Sequence, residues 1–218
     1  MVMTVGVNGT EPVLKKRGRA VVKRTVAPAG AETITIPALK VETFQLKLVG
    51  DSPLIINKFS NKAQQEILDK QMHRAKGARA AKDPEMAYQD SMHKDSDGDL
   101  AFPSIGFKAA AVTACSQNLD ITKVVARGAF HLPGEYVKIE GKPRMRQDMV
   151  RIHMGTADVR FRAEVPEWSC IITVRHNPNV LSASQIINLF NVAGFSVGVG
   201  DWRPEKDGQF GMFHVEPA

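Results

Sequence analysis

Apolar and polar residues alternate most cleanly from Val41 to Val49 (VETFQLKLV). Phe44, Leu46 and Leu48 fall on one face there, and Val41, Thr43, Gln45, Lys47 and Val49 on the other. A period of two predicts a half-buried strand, which Gly50-Asp51-Ser52-Pro53 ends. A weaker alternation of Ile34 and Ile36 precedes it, and the short apolar run Leu54-Ile55-Ile56 follows. Ser60 then caps a predicted helix through AQQEILDKQM, where Ile67 lies four residues after Ala63 and Met72 four after Leu68. Residues 73–99 are mostly polar or small and are expected to form a mobile insertion. Within them Asp83-Pro84 opens a short helix anchored by Tyr88. FKAAAVTACSQ predicts an alanine-rich helix whose small side chains permit close packing.

The second half reads mainly as strands: Tyr136 to Ile139, Met149 to His153, Asp158 to Ala163 and Ser169 to Arg175. A helix with a broad apolar face follows in SQIINLFNVAG, capped by Ser182 or Ser184 and expected to stop at Gly194. A glycine-rich stretch then leads to a last strand, Phe210 to Val215. Helices among many strands, with no long repeat, predict an α+β fold.

Length and composition narrow the class. The chain has 218 residues, 43% hydrophobic and 24% charged, enough for a real core and unlike a disordered or fibrous protein. No apolar run approaches the roughly 18 residues of a membrane helix, and the first residues carry no basic-then-apolar leader pattern. Two cysteines, Cys115 and Cys170, make no disulfide framework, so a reducing, cytoplasmic setting without membrane contact is expected. The net charge of +6 is uneven. Lys15, Lys16, Arg17, Arg19, Lys23 and Arg24 face Glu11 alone in residues 1–30, whereas residues 91–218 hold fourteen basic and fourteen acidic side chains. The expected organisation is a flexible basic arm, 1–30, and a single domain, 31–218. A basic arm beside a neutral body suits a polyanion partner.

Catalytic signatures are absent. The six histidines show no HxH or HExxH spacing, and there is no GxSxG elbow or phosphate loop. Both cysteines read as core thiols. Asp95, Asp97 and Asp99 in KDSDGD resemble the start of a calcium loop, but Gly106 stands where a bidentate glutamate is required. Asp-Gly turn chemistry explains that segment, and neither metal nor cofactor is expected.

Two clusters remain. Lys142, Arg144, Arg146, Arg151, Arg160 and Arg162 are opposed within their own stretch only by Asp148 and Asp158. Arg160 and Arg162 share a strand face, and unpaired burial would be costly, so the face is expected to be open and suited to phosphate. Phe161 points the other way. In AGFSVGVGDWRPEK, glycines allow close backbone approach, Trp202 offers a stacking surface and Arg203 a phosphate partner. The competing arrangement tucks Trp202 into the core and pairs Arg203 with Asp201 or Glu205.

The strand ETFQLKLVG, the lead FPSIGFKAA into a helix, the basic strands and the helix running into AGFSVGVGDWRPEKDGQFGMFHV resemble the RAMP superfamily, in particular the backbone subunits of CRISPR effector complexes. The ending AG…GxGxWRP…G…GxF is also similar to a family of phage and prophage proteins. The RAMP resemblance implies a modified ferredoxin-like, RRM-type core over roughly 41–215, RNA or single-stranded DNA as partner, and self-association. WRPEKDG stands in this chain where that superfamily has a run of glycines and basic residues. The expected function is non-catalytic binding of single-stranded nucleic acid by a homo-oligomer. The alternatives are a phage assembly protein whose arm contacts neighbouring subunits, and a metal-dependent nuclease using Asp97, Asp99 or Asp201.

Overall fold

The strand predicted around Val41–Val49 is β1 (Glu42–Gly50) in a computed structural model of the chain, and it is central to the main sheet. Residues 38–74, 81–117, 120–151 and 157–216 are described, without the side chains of residues 61–63. Leu39–Ala218 form one unit. The basic residues of the arm and the Ile34–Ile36 alternation lie outside the described residues.

After β1 come β2 (Leu54–Ile56), α1 (Asn61–Gln71), α2 (Pro84–Asp90), β3 (His93–Lys94), β4 (Leu100–Pro103), α3 (Ser104–Ala114) and α4 (Lys123–Ala129). The second half holds β5 (Phe130–His131), β6 (Tyr136–Lys138), β7 (Arg144–Arg151), β8 (Ala157–Val165), β9 (Ser169–His176), α5 (Ala183–Ser196) and β10 (Phe213–Glu216). The main sheet has the order β10-β1-β9-β5, every neighbour antiparallel. With α3 between β1 and β5, and α5 between β9 and β10, this is the strand order of a ferredoxin-like βαββαβ core. Everything else is inserted into that core. The insertions build two three-stranded sheets, β2-β8-β7 and β3-β4-β6.

Alternation decides which face of the main sheet is covered. Leu46, Leu48, Cys170, Ile172 and Val174 turn to the same side and join Phe107 of α3 and Ile186, Leu189, Phe190 and Ala193 of α5 in one buried cluster. The rings of Phe107, Trp168 and Phe213 meet edge-on or tilted at centroid distances of 6.1–6.4 Å. Burial of each large side chain contributes about 1.5–3 kcal/mol. The other face keeps Gln45 and Arg175 exposed, with Ile171 52% accessible. Both cysteines lie in this core as expected, and burial pushes the Cys170 thiol up to about 12.

Of the predicted insertion, residues 81–99 contain α2 and β3, and residues 75–80 lie outside the described part. Asp83 caps α2 by accepting from the amides of Glu85 and Met86, and Tyr88 packs on the core. No helix among the described residues is long and apolar enough to cross a membrane.

Some elements depart from their predicted bounds: β7 begins at Arg144 where Met149 was expected, β10 begins at Phe213 where Phe210 was expected, and α5 overruns its expected stop. α5 starts at a capping box between Ser182 and Gln185, as the sequence suggests, but runs through Gly194 to Ser196. Gly194 is glycine for lack of space. A Cβ there would stand 1.8 Å from the Phe213 carbonyl oxygen, because β10 passes directly against the helix. Helix propensity alone favours alanine over glycine by about 1 kcal/mol. We expect the reverse sign: Gly194→Ala should lower the unfolding free energy by about 1–3 kcal/mol in urea titrations, since the overpacked backbone has to move.

Candidate functional site

The glycine-rich segment after α5 is a folded loop bound to the chain's own backbone. The Val199 amide donates to the Gly211 carbonyl at 2.9 Å, Gly211 to Pro53 at 2.9 Å, Asp201 to Ile55 at 3.0 Å and Phe210 to Trp202 at 3.1 Å. Gly200 has φ +79, and a Cβ there would meet the Ile55 carbonyl oxygen at 2.5 Å. Gly211 has φ +66, and a Cβ would meet that of Val199 at 1.8 Å. The close approach that these glycines allow is therefore to neighbouring strands and to the loop itself. A 3-10 turn, Pro204–Lys206, closes the bend.

The loop meets the β7–β8 ribbon in a set of ion pairs. Register places Arg144 opposite Glu164, Arg146 opposite Arg162 and Asp148 opposite Arg160. Arg144 Nε donates to Glu164 at 2.7 Å, while Arg146 reaches Asp148 at 2.8 Å and Glu164 at 3.0 Å. Arg160 lies 3.7 Å from Asp158. Arg162 lies 3.6 Å from Asp148 and 3.5 Å from Asp201 of the loop.

The expectation of an open arginine face thus holds for Arg160 and fails for Arg162, which is only 3% accessible. Asp148 and Asp201 supply the charges that make this burial tolerable. Lys142 and Arg151 are exposed, and neither has an ion-pair partner among the described residues. Arg203 is held by Glu205 at 2.7 Å, the competing arrangement foreseen for it.

Trp202 is exposed and not tucked into the core. Its indole is 40% exposed, with the Arg146 and Arg162 guanidinium carbons 5.8 and 5.9 Å from the ring. Arg146 also lies 4.7 Å from the centre of the Phe210 ring. These cations brace Trp202 in a left-handed conformation, φ 56, that costs a bulky residue about 1–2 kcal/mol. Phe161 sits opposite Gln147 and is half-buried, on the face away from the arginines as expected.

Beside the loop lies a cleft of about 350 Å³ between α3 and residues 197–205. Gly106, Ala109, Ala110 and Thr113 recur on one face of α3 and form its floor. Asn57, His93, Asp201 and Arg203 bring polar atoms to its walls. Asn57 donates to Asp201 at 2.9 Å. Burial, then the nearby Lys58 charge, lower the His93 pKa, and its Nδ1 has no hydrogen-bond partner. Asn57 and His93 were invisible as site residues in the sequence, since only the tertiary fold carries them to α3. The small-residue spacing on α3 was the one available signal.

Asp95 accepts from the amides of Asp97 and Asp99 in the β3–β4 turn, the turn chemistry expected for KDSDGD. Asp99 pairs with Lys138. No group of three histidine, cysteine, aspartate or glutamate side chains is placed to hold a metal among the described residues.

No protein-family model matches the chain, and no curated protein matches it. Among solved structures, it aligns with a chain of the Type III-B Cmr-beta complex, seen by cryo-EM bound to cognate target RNA, at a TM-score of 0.52 and 9% identity. The match covers 82% of this chain and 60% of that one, so the chain spans less than two thirds of that subunit's length. What the two chains share is the fold. A crystal structure of Cmr6 from Pyrococcus furiosus aligns at a TM-score of 0.43 and 11% identity, over 82% of this chain and 100% of that one. The core is the α+β, ferredoxin-like class expected for the sequence, with the glycine loop folded back between α3 and the inserted ribbon.

Two stability measurements follow from the ion pairs. Arg162→Ala should cost about 1–3 kcal/mol, because it removes a buried cation facing Asp148 and Asp201 while Asp148 keeps its hydrogen bond from Arg146, whereas Arg160→Ala should cost at most about 1 kcal/mol. Chemical denaturation of both variants checks this contrast. Burial raises the Glu164 pKa, but hydrogen bonds and charge from Arg144 and Arg146 outweigh it, leaving the pKa below the ordinary value. Its contribution is therefore present above about pH 4.3 and lost as pH falls through the lower folded value. The acid limb of the stability–pH curve should be shallower in Glu164→Gln than in the parent.

Proposed function

We propose that the chain binds single-stranded RNA without cleaving it, seating a base in the cleft between α3 and the glycine loop. The cleft carries this reading. Its volume of about 350 Å³ suits one nucleotide, its floor is lined by small side chains, and its walls offer an amide, an imidazole and a guanidinium beside the Asp201 and Glu205 carboxylates. The solved neighbour that shares the fold belongs to a complex bound to target RNA, which supports RNA as the polymer. Trp202, half-exposed at the edge of the loop, is the stacking residue of this proposal.

Charge is assigned differently from a simple count of arginines. Arg144, Arg146 and Arg203 hydrogen-bond carboxylates, and Arg160 and Arg162 lie 3.5–3.7 Å from them, so they position the loop more than they neutralise phosphate. Lys142 and Arg151, together with Lys15, Lys16, Arg17, Arg19, Lys23 and Arg24 of the arm, are the phosphate partners of this reading.

Fluorescence anisotropy with a labelled single-stranded RNA provides the test. Ala109 is exposed on the cleft floor, so Ala109→Phe should fill the site and leave the fold intact. Base stacking is worth about 1–3 kcal/mol, so affinity should fall roughly tenfold or more. Deleting residues 1–30 should flatten the salt dependence by about two units, from roughly 0.7 per phosphate with only part of the arm engaged. Absence of RNA binding, or an Ala109→Phe protein that binds like the parent, would overturn the proposal.

A further inference from the structure

β7 is an edge strand. It pairs with β8 on one side, and with no strand on its other side among the described residues. It is eight residues long, RMRQDMVR, and an open edge of this length is a template for pairing with another strand. Arg144, Arg146, Asp148 and Val150 line one face; Met145, Gln147, Met149 and Arg151 line the other. Met145 is 41% exposed and Met149 76%, so the second face presents apolar side chains to solvent right at the open edge.

The order of these residues is self-complementary. Consider two copies of β7 running antiparallel about a two-fold axis through Gln147. Met145 of each copy then faces Met149 of the other, Arg146 faces Asp148, and the two Gln147 amides face one another. No like charges meet across the pair. Centring the axis on Arg146 or Asp148 would set a charge against its own copy. Centring it between Gln147 and Asp148 would set Arg144 against Arg151. The Gln147 register sets methionine against methionine on the exposed face and opposes no like charges on the other, where Arg146 and Asp148 are paired within each chain; directly opposed residues interact most strongly across strands.

From this we infer that β7 is a homodimer interface, in which a second copy of the chain adds its β7 edge to edge and joins two three-stranded sheets into one of six. The interface is isologous, as a two-fold axis requires. Its area is small, a strand edge with two methionine pairs, so the dimer is of the weak, concentration-dependent kind. The interface leaves the cleft on α3 open and does not depend on RNA.

The test uses the full chain, treated with nuclease, at about 0.15 M salt. Sedimentation over a roughly hundred-fold range of concentration should show the mass rising from 23.9 kDa toward twice that value. A monomer throughout would overturn the inference and leave the RNA proposal untouched.

Met145→Lys with Met149→Lys places like charges opposite one another and should weaken the dimer at least about tenfold, with circular dichroism confirming the fold. Met145→Glu with Met149→Lys places opposite charges across the axis and should dimerise more tightly than the double-lysine protein. The register has its own readout in Gln147→Cys, which should form an intermolecular disulfide under mild oxidation. Opposed strand residues have Cα atoms about 4.5–5.5 Å apart, within disulfide reach. Arg151→Cys faces Pro143 and should not cross-link to itself. The native Cys115 and Cys170 are buried and do not compete. A dimer that ignores the double-lysine change, or that fails to cross-link through Gln147→Cys, would overturn the interface.

Discussion

Arg162 is the point on which the inserted half of the molecule turns. A guanidinium that is 3% accessible is tolerable only with negative charge around it, and Asp148 from β7 and Asp201 from the glycine loop provide that charge from two directions. Trp202 closes over the same cation, and Arg146 over Trp202 and Phe210. The loop therefore cannot leave the ribbon without taking Asp201 from Arg162 and the Trp202 and Phe210 rings from Arg146. The position of the loop in turn sets the width of the cleft against α3.

The ferredoxin-like core makes the frame for this arrangement. β1 and β9 pair over eight positions with their apolar alternation in phase, and α3 and α5 cover the apolar side. The inserted segments between β1 and α3, and between β5 and β9, supply the polar parts: Asn57 and His93 at the cleft, and the charged β7–β8 ribbon. Function on such a fold resides in the insertions, because the core has committed its side chains to packing.

Local pattern carried far in this sequence wherever one residue's partners are its near neighbours. The period of two gave β1, β8 and β9 close to their observed bounds, Asp83 and Ser182 marked their helix starts, and Asp95 marked its turn. These follow from dihedral preference and from hydrogen bonds spanning a few residues, so the sequence by itself determined them. Even Phe161 pointing away from the arginines required no more than alternation.

The role of Arg162 lay beyond that reach, and so did that of Gly194. Counting acids within residues 142–162 missed Asp201 some forty residues further on, so an arginine buried between Asp148 and Asp201 looked like an open one. Gly194 read as a helix stop because the strand that excludes a Cβ there begins nineteen residues later. Asn57 and His93 carried no motif at all. Charge balance and steric exclusion depend on distance in space, and folding brings segments from three parts of the chain to one place. Only the tertiary structure could decide which arginines were paired, which glycines were crowded and where the cleft lay.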